Sequence, residues 1–108
     1  MSHTVMLVRS VEADAVAELA DLSLTLAAFG QQVTWLWCAD AAFLLAETPA
    51  GRLQELLPML SEFGVQHRVT SHSLAQLHLE AQALAAEVVD DIGVQQLLAN
   101  ADHCLGWS

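Results

Sequence analysis

The residues best suited to chemistry in this chain stand just after short apolar runs. Thr4–Arg9 (TVMLVR), Gln32–Cys38 (QVTWLWC) and Val65–Thr70 (VQHRVT) each read as a strand, with a polar or thiol group where the run ends. In an open parallel sheet, ligands gather beyond the carboxyl ends of the strands. That rule selects three places: Arg9-Ser10, Cys38-Ala39-Asp40 and Thr70-Ser71-His72. A thiolate at Cys38 would be a nucleophile if the positive end of a helix near Ala41 lowered its pKa, and Asp40 would oppose that. The bland reading is a small buried thiol, since free cysteine is among the most buried residue types. Asp40 has two uses open to it, acid–base work or the N-cap of the next helix, and capping is the commoner one.

The other chemistries have weaker support. His67, His72 and His78 lie close together, but none of their spacings is the i,i+4 that places two metal ligands on one helix face, so no metal site is expected. No G-x-S-x-G, G-x-G-x-x-G or G-K-[ST] motif occurs, which removes the common hydrolase and nucleotide signatures, and no cofactor is expected. Cys38 and Cys104 form neither a C-x-x-C pair nor a zinc spacing, and both are expected to be free thiols. Trp35 and Trp37 share a sheet face across Leu36, and with His72 could line the pocket of a small-molecule binding module, although such aromatics are more often core.

These positions need a scaffold, and the periodicity supplies one. Between the first two strands, Glu12–Phe29 has helical spacing through Val16, Leu19, Leu22 and Leu26, and Gly30 ends it. Ala41–Glu47 reads as a short helix and Thr48–Gly51 as a loop. Arg52–Phe63 is a helix with Leu53, Leu56, Leu57 and Leu60 on one stripe, where Pro58 predicts a kink or break near Leu57. Ser71 or Ser73 is expected to cap a helix through Leu74, Leu77 and Leu79. Glu87–Val89 is a brief fourth strand, Asp90 or Asp91 caps a helix ending at Asn100, and His103–Trp107 is a last strand. Apolar strands alternating with helices predict one α/β domain over residues 1–108. Its fold class is a three-layer sandwich with a mostly parallel sheet of about five strands flanked by helices. No internal repeat or low-complexity tract is present.

Composition narrows the partners. Of the 108 residues, 55% are hydrophobic and 15% charged, against roughly 45–50% and 25% in ordinary soluble domains. The apolar excess predicts a subunit interface. Thirteen Asp and Glu face three arginines and no lysine, a formal charge of -10. Phosphate backbones and anionic membrane surfaces are held by clustered Lys and Arg, so direct nucleic-acid or membrane binding is not expected. With no signal peptide and no transmembrane run visible, the expected compartment is the cytoplasm.

One family resemblance spans nearly the whole chain. The segment Trp35–Ala42 (WLWCADAA) resembles the strand followed by A/Q-D-G-V of the DsrE/DsrF/DsrH superfamily, whose members include the TusB-, TusC- and TusD-like proteins. Leu60–Leu77 (LSEFGVQHRVTSHSLAQL) is similar to its third strand and following turn. Val89–Trp107 (VDDIGVQQLLANADHCLGW) is similar to its closing acidic cap, helix and strand. The length falls between the DsrF/TusC-like and DsrH/TusB-like branches. The resemblance implies a sulfur relay built from dimers or hexamers of this chain or of homologous subunits, serving tRNA thiolation or sulfur oxidation. It also implies a persulfide-carrying cysteine at the end of the third strand in the DsrE/TusD-like branch. Here that position is Thr70, followed by Ser71 and His72; the usual glycine after the aspartate is Ala41, and the usual arginine-glycine is Leu77-His78. A hydroxyl cannot carry sulfane sulfur, so the resemblance implies a non-catalytic subunit, with Cys38 as a substitute carrier in the alternative. Asp40, Thr70, Ser71 and His72 remain candidate binding residues.

Overall fold

The computed structural model describes residues 2–80 and 86–107, with only the backbone of Trp107. Five strands, β1 (His3–Val8), β2 (Gln32–Trp37), β3 (Gln66–Thr70), β4 (Glu87–Val89) and β5 (His103–Trp107), form one sheet in the order β4-β3-β2-β1-β5. Every pairing is parallel. The helices are α1 (Ala13–Ala28), α2 (Ala42–Ala46) after a single 3-10 turn at Ala39–Ala41, α3 (Arg52–Glu62), α4 (Ser71–Leu77) and α5 (Asp91–Ala99).

The alternation of each strand decides which helices it meets. Met6, Val8, Val33, Trp35, Trp37 and Val69 point to one face and pack with Val16, Leu19, Leu53, Leu60 and Leu74 in a single buried cluster. This face is therefore covered by α1 to α4, as expected for crossovers that all step the same way from β1 to β4. The return from β4 to β5 steps the other way, so right-handedness puts α5 on the opposite face, above the buried Val5, Thr34 and Leu36. The result is the predicted three-layer sandwich, with the sheet wholly parallel among the described residues.

Several local expectations change. The helix α3 runs through Pro58 without a break. The missing N–H of a proline costs one hydrogen bond to Gln54, but the Leu53, Leu56 and Leu60 stripe is buried and holds both halves on the core. Thr70, and neither Ser71 nor Ser73, caps α4 by accepting the Ser73 N–H at 3.1 Å. That helix stops at Leu77, because His78 takes a left-handed φ of 54°. Of the two aspartates before α5, Asp90 is the cap, accepting the Gly93 N–H at 2.8 Å. Asp40 caps nothing: it lies exposed inside the 3-10 turn, whose N-cap is Cys38, and α2 begins without a side-chain cap.

The segment from Ala86 to Gly106 contains no buried side chain, although it includes Val88, Val89, Ile92, Val94, Leu97, Leu98 and Leu105. Among the described residues, all of the buried core comes from residues before Leu77. Among the described residues no helix is long and apolar enough to cross a membrane.

Candidate functional site at the carboxyl end of the sheet

Register brings the three sequence-selected strand ends into a row. Val8 is level with Trp37, and Trp37 with Val69, so the next residue of each strand, Arg9, Cys38 and Thr70, stands side by side. The alternation that turns Trp37 and Val69 toward α1–α4 starts the side chains of Arg9 and Cys38 off the other way, while the Thr70 hydroxyl is held on α4 by Ser73. Cys38 continues the ladder by donating its N–H to the Val8 carbonyl at 2.9 Å. The backbone then turns sharply, with Ala39 at a φ of 52°.

Cys38 is half-buried, and its thiol contacts the Leu36 carbonyl at 3.5 Å. Burial pushes its pKa up, while the Arg9 guanidinium acts in the opposite sense by charge and hydrogen bonding. The helix activation expected as one option from sequence does not operate, because Cys38 leads into a 3-10 turn and a five-residue α2, too short to develop a substantial dipole. The resting thiol is therefore protonated more firmly than a free one. The sequence selects Arg9 as a strand end but does not pair it with Cys38; that pairing comes from register, since both residues stand one place beyond strands that pair.

Thr70 is committed to structure. Its hydroxyl accepts from the Ser73 N–H and is hydrogen-bonded to the Ser73 hydroxyl, which is itself buried. Ser10, at the end of β1, is used the same way, accepting the Glu12 N–H at 3.1 Å. Ser71 and His72 are exposed on α4. The strand ends thus bring Arg9, Cys38 and Thr70 together, while Asp40, Ser71 and His72 lie exposed in the adjoining turn and helix.

The two tryptophans belong to the core. Trp35 and Trp37 are fully buried, their ring centroids 5.4 Å apart, and the His67 ring lies edge-on to Trp35 and tilted to Trp37. Trp35 donates to the Ser23 hydroxyl at 2.8 Å, and Trp37 to Nδ1 of His67 at 3.1 Å. Among the described residues no group of three His, Cys, Asp or Glu could hold a metal ion, and both cysteines are free.

Solved structures share this fold. The crystal structure of the ychN protein from E. coli superposes with a TM-score of 0.82 at 14% identity, covering 99% of this chain and 100% of that one. The protein of unknown function BT1422 from Bacteroides thetaiotaomicron gives 0.82 at 16% identity, covering 98% and 95%. The protein of unknown function MTH1491 from Methanobacterium thermoautotrophicum gives 0.80 at 14%, covering 99% and 100%. No family model and no curated protein matches the chain. At such identities the likeness is one of fold.

Proposed function

We propose that the chain is a non-catalytic subunit of a DsrE-like sulfur-relay assembly, working with copies of itself or with homologous subunits. The observation that carries this reading is the state of Thr70. The motif resemblance puts a carrier thiol there, and the residue present is a hydroxyl already spent on capping α4. Such a subunit would shape an interface and shield a persulfide held elsewhere. Its downstream use would be tRNA thiolation or sulfur oxidation, and its -10 charge directs any RNA contact to another subunit. The apolar excess and the absence of buried side chains from Ala86 to Gly106 support assembly.

A second reading rests on the Arg9–Cys38 juxtaposition: a persulfide on Cys38, with Arg9 stabilising its anionic sulfur. The two separate in one experiment. The purified protein is incubated with a low-molecular-weight persulfide and examined by native and denaturing mass spectrometry. The subunit reading expects an oligomer and no added sulfur; one sulfur atom mapped to Cys38 would replace it with the carrier reading, and a monomer at micromolar concentration would remove its support.

A further inference from the structure

The two edges of the sheet are built differently. Among the described residues β4 is only three residues long, and its Glu87 carboxylate pairs with Arg68 across the ladder at 3.4 Å. A short edge with a charge is a common guard against strand addition. The other edge, β5, is five residues of sequence HCLGW with no carboxylate, lysine, arginine or proline. Its residues His103, Cys104, Leu105 and Gly106 are all exposed, and the side chains of the first three fall on both faces of the sheet. Parallel strands are normally covered on both faces, but among the described residues β5 is left uncovered on both faces and along its outer edge.

The ladder shows which of its main-chain groups are free. The carbonyls of Ser2 and Val8 accept from β2, so the even-numbered residues of β1 face β2 and the odd-numbered ones face β5. Val5 is level with Cys104, and Leu7 with Gly106. In a parallel ladder the residues level with the bonding ones turn their own N–H and C=O away. Cys104 and Gly106 therefore present two donors and two acceptors outward.

We infer that β5 pairs antiparallel with β5 of a second copy about a two-fold axis at Leu105, joining two five-stranded sheets into one. This rests on the assembly reading proposed above and names its surface. The occupant is set by two observations. A two-fold is self-complementary: with the axis at Leu105, Cys104 of one copy meets Gly106 of the other, and all four outward groups on each side find partners. The charge pattern allows it, because a chain of net charge -10 can approach its own copy where carboxylates are missing, and β5 carries none. Asp102, at its start, is turned back to the His3 N–H at 2.7 Å. In this register Leu105 stands opposite Leu105 of the second copy, covering a side chain that is 39% exposed in the single chain.

Gly106 gives a clean test. A Cβ there meets nothing within 4 Å, and its φ lies outside the left-handed region, so a side chain is tolerated, and the N–H that proline removes points outward. Sedimentation velocity at micromolar concentration is expected to show a two-fold assembly for the wild type and Gly106→Ala, and loss of that contact for Gly106→Pro with unchanged circular dichroism. A Cys38→Ser, Cys104→Ser, Leu105→Cys chain is expected to oxidise to a covalent dimer, whereas a Cys38→Ser chain retaining Cys104 cross-links far less. An assembled wild type whose Gly106→Pro variant assembles equally, or whose Leu105→Cys variant stays uncrosslinked, overturns the β5 contact and leaves the subunit reading standing. A monomeric wild type overturns both. If Gly106→Pro fails to fold, the cysteine variant decides alone.

Discussion

The indole N–H of Trp37 donates to Nδ1 of His67, 3.1 Å away, in the middle of the core. The geometry fixes the tautomer: Nδ1 accepts, so the ring proton sits on Nε2. Burial, and secondarily the neighbouring Arg68, pulls the His67 pKa down to about 4. Protonation would set an N–H at Nδ1 against the indole N–H.

Acid unfolding should report this pair. His67 titrates near its ordinary value of about 6.5 when unfolded. Between that pH and about 4 the unfolded chain binds the extra proton. Stability is therefore full above pH 6.5 and falls as pH drops toward 4, by on the order of 3 kcal/mol from this group. Urea denaturation across that range should show the slope. His67→Gln should flatten it while keeping an acceptor for Trp37; a slope unchanged in the variant would move its cause to other groups.

Ser23→Ala should leave the Trp35 indole N–H, fully buried beside it, without its acceptor. A buried unmade donor costs about 1–3 kcal/mol. Thermal or urea unfolding measures the loss, and Ser23→Thr should recover part of it. A neutral Ser23→Ala variant would mean that the indole finds another partner.

Thr70→Ala should destabilise by about 1 kcal/mol, the usual worth of a hydroxyl N-cap, because α4 loses the acceptor for Ser73. Thr70→Ser should hold near the wild type. Thr70→Cys places a thiol where the resemblance expects a carrier; it should accept sulfur from a small persulfide in intact-mass spectra when the wild type does not.

The two cysteines should separate in alkylation. Exposed Cys104 should react with iodoacetamide well before half-buried Cys38, whose pKa burial raises. Arg9→Ala removes the one influence holding that pKa down. It should slow Cys38 further near neutral pH and move its pH profile upward. Peptide mapping of a time course reads both sites at once; equal rates in the variant and the wild type would show that Arg9 does not act on the thiol.

Much of the scaffold could be read in the sequence because its signals are local. The strands end near Arg9, Cys38 and Thr70 because apolar β-branched and aromatic runs stop there, and Gly30 and Gly64 take positive φ where α1 and α3 end. The caps were less legible, since Thr70, Ser71 and Ser73 all have capping hydroxyls and only backbone geometry selects among them. Asp40 misled for a related reason: a 3-10 turn intervened where a helix start was expected. The row of Arg9, Cys38 and Thr70 needs strand register, and the Trp37–His67 bond joins residues thirty positions apart. Neither can be read from any one segment.

The strand order also has a kinetic consequence. Strands β1 to β4 join their neighbours through successive crossovers, whereas β5 returns across the sheet to β1, tying His3 to Asp102 over 99 positions. Closing so long a loop carries the largest entropic cost in the chain, and contacts of high sequence separation slow folding. The α1–α4 side can condense around the tryptophans before that loop closes. Until it does, the outer edge of β1 is an unfilled slot, and at high protein concentration the β5 of another chain can reach it first. Refolding yield should therefore fall with concentration, through exchange of this one strand between molecules.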